Sequence, residues 1–190
     1  MKTLLIGGAR SGKSSLASRW ASERRGDVCC VVTALASDAE MLARIATHRR
    51  ERPQHWRVRE EPLRLAAVLR EESGTNALLL VDCLTLWTAN CLWPEVSGQP
   101  AGDPRAGDPE ANDPQPDLAG WRIERDEFLA TLRTHTSDVI IVSNEVGTGI
   151  VPENTAARVF RDEHGRLNQA VAAVCDEVFF VTAGLPLRLK

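Results

Sequence analysis

At 190 residues, 43% of them apolar, the chain is long enough to bury the core of one domain, and no apolar run reaches membrane-spanning length. Its 23 Lys and Arg against 26 Asp and Glu leave a net charge of −3 with no long basic stripe, which argues against nucleic acid as a partner. The five cysteines (Cys29, Cys30, Cys83, Cys91, Cys175) show no metal-ligand spacing, and Met1 leads straight into an apolar segment. Disulfides, a transmembrane segment and a cleaved leader are therefore not expected, and the chain reads as cytoplasmic.

Leu4-Leu5-Ile6 marks a first strand over 2–6. Gly7-Gly8-Ala9-Arg10-Ser11-Gly12-Lys13-Ser14 follows it and fits G-x-x-x-x-G-K-[ST], with a helical pattern over 12–25 coming next. In a strand–loop–helix setting such a loop turns its backbone N–H groups inward around a phosphate chain. Lys13 adds a charge near the β- and γ-phosphates, and the Ser14 hydroxyl is placed to ligate Mg²⁺. The positive end of the helix dipole faces the same anion. Nucleoside triphosphate binding is the expectation; the bland alternative is a glycine-rich turn with a chance lysine.

A second strand over 28–33 takes Cys29 and Cys30 as small buried apolar residues. Ser37 with Glu40 fits a capping box, a helix is expected over 38–51, and Pro53 stops it. Met41, Ile45 and His48 share a face of that helix, with Arg49, Arg50 and Arg52 just beyond. Guanidinium groups favour a neutral imidazole, which can attack phosphorus, yet spacing alone fits a half-buried structural histidine better. Glu60 and Glu61 precede Pro62 and a helix over 62–73; they either compensate its dipole or accept hydrogen bonds from a ribose or base edge. The strand over 77–82 ends in Asp82, where a phosphate-loop protein places the acid that holds Mg²⁺.

Leu84, Trp87 and Cys91 fit a buried helical face. Residues 94–119 carry six of the ten prolines and six acids against Arg105 alone, so they read as a flexible surface insertion. A helix over 120–135 leads to a strand over 138–143. Ser143-Asn144-Glu145-Val146-Gly147-Thr148-Gly149 then forms a polar, glycine-bearing loop at that strand's carboxyl end, with Asn144 and Glu145 as substrate-facing candidates. Asn154 is placed to cap a helix over 154–175. Strands follow over 177–182 and 186–189, the last turning back antiparallel after Gly184. His55, His135 and His164 show no ligand spacing and are expected at the surface. Strands such as Val139-Ile140-Ile141-Val142 are apolar throughout, as in a parallel sheet covered on both faces, so the fold class is α/β, doubly wound, in one domain over 1–190.

Together these pieces resemble the bifunctional adenosylcobinamide kinase/adenosylcobinamide-phosphate guanylyltransferase family of cobalamin biosynthesis. The resemblance is carried by residues 7–14; by Glu40-Met41, Arg44-Ile45, His48 and Arg52-Pro53; by Trp56 with Glu60; by Val81-Asp82-Cys83-Leu84-Thr85; by residues 143–147 and 150–154; and by Arg166-Leu167-Asn168-Gln169 and Asp176-Glu177-Val178. It implies a P-loop NTPase with a RecA-like, mostly parallel sheet, helices on both faces and a short antiparallel C-terminal strand. It implies phosphorylation of adenosylcobinamide, then transfer of GMP from GTP to adenosylcobinamide phosphate through a guanylylated histidine. His48 matches that histidine, which reverses the structural reading of it. Lys13 stands with it as a catalytic residue. Nucleotide contacts implied by the resemblance are Gly7, Gly8, Ala9, Arg10, Ser11, Gly12, Lys13, Ser14, Val32, Thr33, Ala34, Arg49, Arg50, Glu51, Arg52, Glu60 and Asp82. Ser14 and Asp82 hold Mg²⁺, GTP and ATP serve as substrates, and the assembly is a homotrimer. Two other readings stay open at this point: a P-loop kinase for another small alcohol with His48 structural, and a GTP-binding regulatory protein.

Overall fold

Leu4 and Leu5 are neighbours in the chain and both wholly buried, which requires a sheet covered on both faces. The computed structural model describes residues 1–24, 26–35, 50, 52–75, 77–94 and 115–190. In chain order these form β1 (Lys2–Gly7), α1 (Lys13–Glu23), β2 (Val28–Val32), β3 (Arg57–Glu60), α2 (Leu65–Glu72), β4 (Leu78–Asp82), α3 (Leu84–Leu92), α4 (Leu118–Thr134), β5 (Val139–Asn144), α5 (Thr155–Val174), β6 (Glu177–Thr182) and β7 (Leu185–Arg188). The sheet runs β3-β2-β4-β5-β1-β6-β7, and every neighbouring pair is parallel except β6 with β7.

Alternate residues of each strand divide between two apolar layers, as a two-residue period requires. Leu4, Ile6, Cys29, Val31, Leu79 and Val81 pack against α2, α3, α4 and α5, whereas Leu5, Cys30, Val32 and Leu80 pack against Leu16, Ala17 and Ala21 of α1 and against Trp56. In the first layer Trp87 of α3 meets Trp121 and Phe128 of α4, ring centroids 5.2 and 4.9 Å apart. The indole hydrogens of both tryptophans are satisfied: Trp87 Nε1 donates to Leu63 O at 2.7 Å and Trp121 Nε1 to the Glu163 carboxylate at 3.0 Å.

The parallel register fixes where chemistry sits. Gly7 pairs with Asn144, Asp82 pairs with both Val32 and Val142, and all four strands end at the same edge. β5 lies between the strand that leads into the glycine-rich loop and the strand that ends in Asp82.

The sequence expectations need revision at three places. β3 carries Arg57, Arg59 and Glu60 and shows no apolar run, so it did not stand out as a strand. Its pairing with β2 is supported by ion pairs from Arg57 to Glu72 at 2.7 Å and from Arg59 to Glu71. The helix expected from 62 starts at Leu65, because the Glu61 carboxylate accepts from Leu63 N at 3.1 Å and Arg64 N at 2.8 Å and holds a turn there. His164 and His135 are buried, not at the surface: the His164 ring nitrogens meet Thr88 Oγ1 and Asn144 O, and His135 Nδ1 meets Leu69 O while its Nε2 has no hydrogen-bond partner among the described residues, whereas His55 is exposed as expected. The expected helix over 38–51 and residues 95–114 of the insertion lie outside the described residues, apart from Arg50. All five cysteines are free thiols, and among the described residues no helix is long and apolar enough to cross a membrane.

Candidate functional site at the carboxyl edge of the sheet

The loop after β1 closes through backbone conformations that few side chains tolerate. Arg10 has φ +59° and Gly12 φ +94°, and Gly12 O accepts from Leu16 N at 2.9 Å to begin α1. Lys13 is nearly buried, and its Nζ donates to Gly8 O at 2.6 Å and Ser11 Oγ at 3.4 Å. Burial lowers the ammonium pKa, with the Asp82 carboxylate opposing that fall. The lysine thus lies folded across the loop, bonded to neutral groups that a phosphate oxygen would outcompete.

Ser14 Oγ donates to Asp82 Oδ1 at 3.2 Å, so the two residues expected to hold a metal ion meet across the site. Arg52 Nη2 reaches Asp82 Oδ2 at 3.4 Å, both side chains being largely buried. Ser14 and Asp82 supply hard oxygens, and a hydroxyl with one carboxylate suits Mg²⁺, which keeps several waters and phosphate oxygens in its shell. Among the described residues no group of three or more His, Cys, Asp or Glu side chains forms a protein-only cage.

Val32 and Thr33 are buried in the sheet edge, with Ala34 partly open. The Thr33 hydroxyl donates to Cys83 O at 2.7 Å and accepts from Cys83 N at 3.0 Å. Asn90 of α3 ties the same corner down, donating to Thr33 O at 2.8 Å and Pro62 O at 3.2 Å. Glu60 is exposed at the end of β3, opposite Val32, and Arg50 is exposed. His48, Arg49 and Glu51 lie outside the described residues.

Asn144 and Glu145 sit where β5 leaves the sheet. Glu145 N donates to Gly7 O at 2.9 Å, which joins this exit to the glycine-rich loop, and the Glu145 carboxylate accepts from Gly147 N at 2.6 Å. Ile150 and Val151 beyond it are exposed, and Asn154 Oδ1 accepts from Ala157 N at 2.8 Å to cap α5.

Two contributors escaped the sequence reading. The turn between β6 and β7 backs the glycine-rich loop: Gly184 N donates to Ser11 O at 2.8 Å, and a Cβ on Gly12 would stand 3.0 Å from Gly184 Cα. A Cβ on Gly7 would stand 2.2 Å from Val181 O. The second is His164, whose side chain belongs to a buried polar cluster with Thr85, Thr88, Ser143 and Asn168. Its signal was present, since His164, Leu167, Asn168 and Val171 fall at helical spacing on one buried face. A polar cavity of about 380 Å³ opens at the opposite edge of the sheet, lined by Arg24, Thr75 and Asp138, and holds none of the expected site residues.

Comparison with known proteins adds the following. Residues 3–189 match the family described as cobinamide kinase / cobinamide phosphate guanyltransferase. The bifunctional adenosylcobalamin biosynthesis protein CobP of Pseudomonas aeruginosa is 46% identical over 190 residues, covering 100% of this chain and 98% of that protein. The protein CobU of Escherichia coli K12, with the same bifunctional description, is 36% identical over 193 residues, covering 100% of both. Among solved structures, an ATPase from a bacterial type III secretion system superposes with TM-score 0.54 at 11% identity, covering 98% of this chain and 56% of that one. A protein from Pyrococcus horikoshii OT3 superposes with TM-score 0.52 at 9% identity, covering 100% and 85%. The structural likeness speaks for the fold alone: a mixed α/β architecture of the kind found in P-loop ATPases, with antiparallel C-terminal strands.

Proposed function

Because the chain belongs to the cobinamide kinase / cobinamide phosphate guanyltransferase family, we propose that the carboxyl edge of its sheet is the site where both of that family's reactions run. The protein is a bifunctional transferase of cobalamin biosynthesis: it phosphorylates adenosylcobinamide and then transfers GMP from GTP to adenosylcobinamide phosphate, with ATP and GTP as its nucleotide substrates.

The observation that carries the site assignment is the convergence of Lys13, Ser14, Asp82 and Arg52 at the ends of β1 and β4. Lys13 leaves Gly8 O for the β- and γ-phosphates, and the backbone of residues 7–14 wraps the phosphate chain. Ser14 and Asp82 would hold Mg²⁺, which would offset charge on the leaving phosphate. Arg52 and, from the sequence, Arg49 and Arg50 screen the transferring group. Val32, Thr33, Ala34 and Glu60 line the nucleoside side, Glu51 joins the nucleotide contacts from the sequence alone, and Asn144 and Glu145 face the phosphate acceptor. β5 between the loop strand and the acid strand supports a RecA-like sheet in a single domain over 1–190, with the Pro- and Asp-rich insertion expected over 94–119 ending instead before Leu118, where α4 begins. Exposed Leu185 and Leu187 of the edge strand β7, with Leu189 just beyond it, support self-association, for which the family resemblance implies a homotrimer, and five free thiols support a cytoplasmic location.

The guanylyl step proceeds through His48. A neutral imidazole nitrogen attacks the α-phosphorus of GTP, the bond to the α–β bridging oxygen breaks, and pyrophosphate leaves. A phosphate oxygen of adenosylcobinamide phosphate then attacks the same phosphorus, the P–N bond breaks, and the imidazole is released with adenosyl-GDP-cobinamide. The test is incubation with GTP labelled at the α-phosphate followed by denaturation. The wild type should retain an acid-labile, alkali-stable label, and His48→Ala should retain none while still phosphorylating adenosylcobinamide. Label on His48→Ala equal to wild type removes this histidine from the mechanism.

A further inference from the structure

The backbone of Asn144 is clamped on both sides by side chains from two helices. Its N–H donates to Thr85 Oγ1 of α3 at 2.9 Å, and its carbonyl lies 3.1 Å from His164 Nε2 and 3.0 Å from Asn168 Nδ2, both on α5. Asn144 ends the strand that separates the glycine-rich loop from Asp82, and it pairs in register with Gly7. Its orientation is therefore set from α3 and α5 at the place where the loop side and the acid side of the site meet.

Chemistry settles which ring nitrogen of His164 carries hydrogen. A carbonyl only accepts, so Nε2 bears the hydrogen directed at Asn144 O. Ser143 Oγ, also 3.1 Å from Nε2, spends its own hydrogen on Asn168 Oδ1 at 2.6 Å and is thereby left as a second acceptor. On the other side Nδ1 faces Thr88 Oγ1 at 3.1 Å, whose hydrogen is shared with Leu84 O at 2.8 Å. Phe160 stacks on the imidazole with ring centroids 5.4 Å apart and planes 4° from parallel, and the residue has no exposed surface. Burial pushes the imidazole down to about 4, so a neutral ring with hydrogen on Nε2 is the resident form at neutral pH.

We propose that His164 is a positioning residue for phosphoryl and guanylyl transfer, its Nε2–H holding the Asn144 carbonyl so that the Asn144 side chain stays aimed at the phosphate acceptor. The proposal rests on the reading of Asn144 as a group that faces that acceptor. Nothing in the arrangement touches the reacting atoms directly; the histidine acts through the end of β5. A lost bond at this point rotates the strand exit and misplaces Asn144 while Lys13 and the loop backbone still bind nucleotide.

Four variants test it: Asn144→Ala, His164→Phe, His164→Gln and His164→Asn, with kcat and KM for kinase turnover of adenosylcobinamide and with thermal unfolding for each. Phe keeps the ring stack and removes both nitrogens. A Gln amide nitrogen occupies the place of Nε2, and an Asn amide the place of Nδ1. His164→Phe and His164→Asn should each lower kcat about tenfold with KM for nucleotide within about twofold, while His164→Gln stays within about threefold of wild type. Wild-type kcat in His164→Phe beside a reduced kcat in Asn144→Ala overturns the positioning role and leaves Asn144 in place. Wild-type kcat in Asn144→Ala overturns the reading beneath it. Should His164→Phe not fold, Gln against Asn decides alone: equal activity in the two means that the Asn144 carbonyl is not what the histidine serves.

Discussion

A wholly buried neutral imidazole ties the stability of the fold to acid. His164 titrates near 6.5 when the chain is unfolded and near 4 when folded, so between those values the unfolded chain binds a proton that the native one refuses. Stability contributed by the neutral ring is complete above the unfolded value and is lost as pH falls toward 4, by about 3 kcal/mol over that window. His135, 4% exposed with Nδ1 on Leu69 O at 3.0 Å, shifts downward through burial as well and adds with the same sign. Carboxylates elsewhere also respond to acid, so the difference between two proteins is the measurement. Urea unfolding at pH 7 and pH 4.5 should show a steeper loss for wild type than for His164→Gln, which has nothing to protonate there. Parallel losses would mean that the histidine is hydrated and free to charge in the native state.

At the scale of elements, β1 and the β6–β7 hairpin are fitted to each other at backbone distance. Gly7→Ala places a methyl group 2.2 Å from Val181 O, a backbone atom that cannot swing aside, and should cost about 3 kcal/mol or more in stability. Ala183, by contrast, holds φ +50° in the two-residue turn that Thr182 and Leu185 close, a conformation where Asn is more at ease. Ala183→Asn should raise stability by about 1 kcal/mol in the same unfolding assay. Their opposite signs check the turn geometry, since a differently shaped hairpin would penalise neither change in this way. This fitting was not legible in the sequence, which marks Gly12 and Gly184 as turn residues but carries no sign that they meet. The strands β1, β2, β4 and β5 were legible, because burial on both faces leaves no alternation to mistake, whereas the exposed β7 was legible from the turn residues Gly184 and Pro186. β3 was not, because an edge strand held by Arg57–Glu72 and Arg59–Glu71 pairs needs no apolar run. At the site, Ser14 and Asp82 were legible from motif and strand end. His164 was missed although its spacing with Leu167 and Val171 marked the buried face: a search confined to ligand spacing overlooked the helical period.

For the molecule as a whole, the question is whether the Pro- and Asp-rich insertion belongs to the fold. The chain leaves α3 at Leu92 and returns at Asp117, and Asp117 N donates to Leu92 O at 2.8 Å, so the two ends already meet. Asp117 then caps α4, its Oδ1 accepting from Gly120 N at 2.9 Å. The α3–α4 packing rests on Trp87, Trp121 and Phe128, all outside the insertion and fully buried. Replacing residues 97–113 with a short Gly-Ser bridge therefore removes loop-closure cost without touching that packing. Shortening the connection about 2.5-fold should stabilise the fold by about 0.8 kcal/mol, a rise of about 2–3 °C in Tm for a chain of this size. Differential scanning calorimetry on the intact and shortened chains reads this directly, and α-labelled GTP reads whether the site survives. A Tm lowered by about 10 °C would place core-forming side chains inside the insertion, and an intact Tm with no retained label would make the segment part of the transfer site rather than slack between two helices.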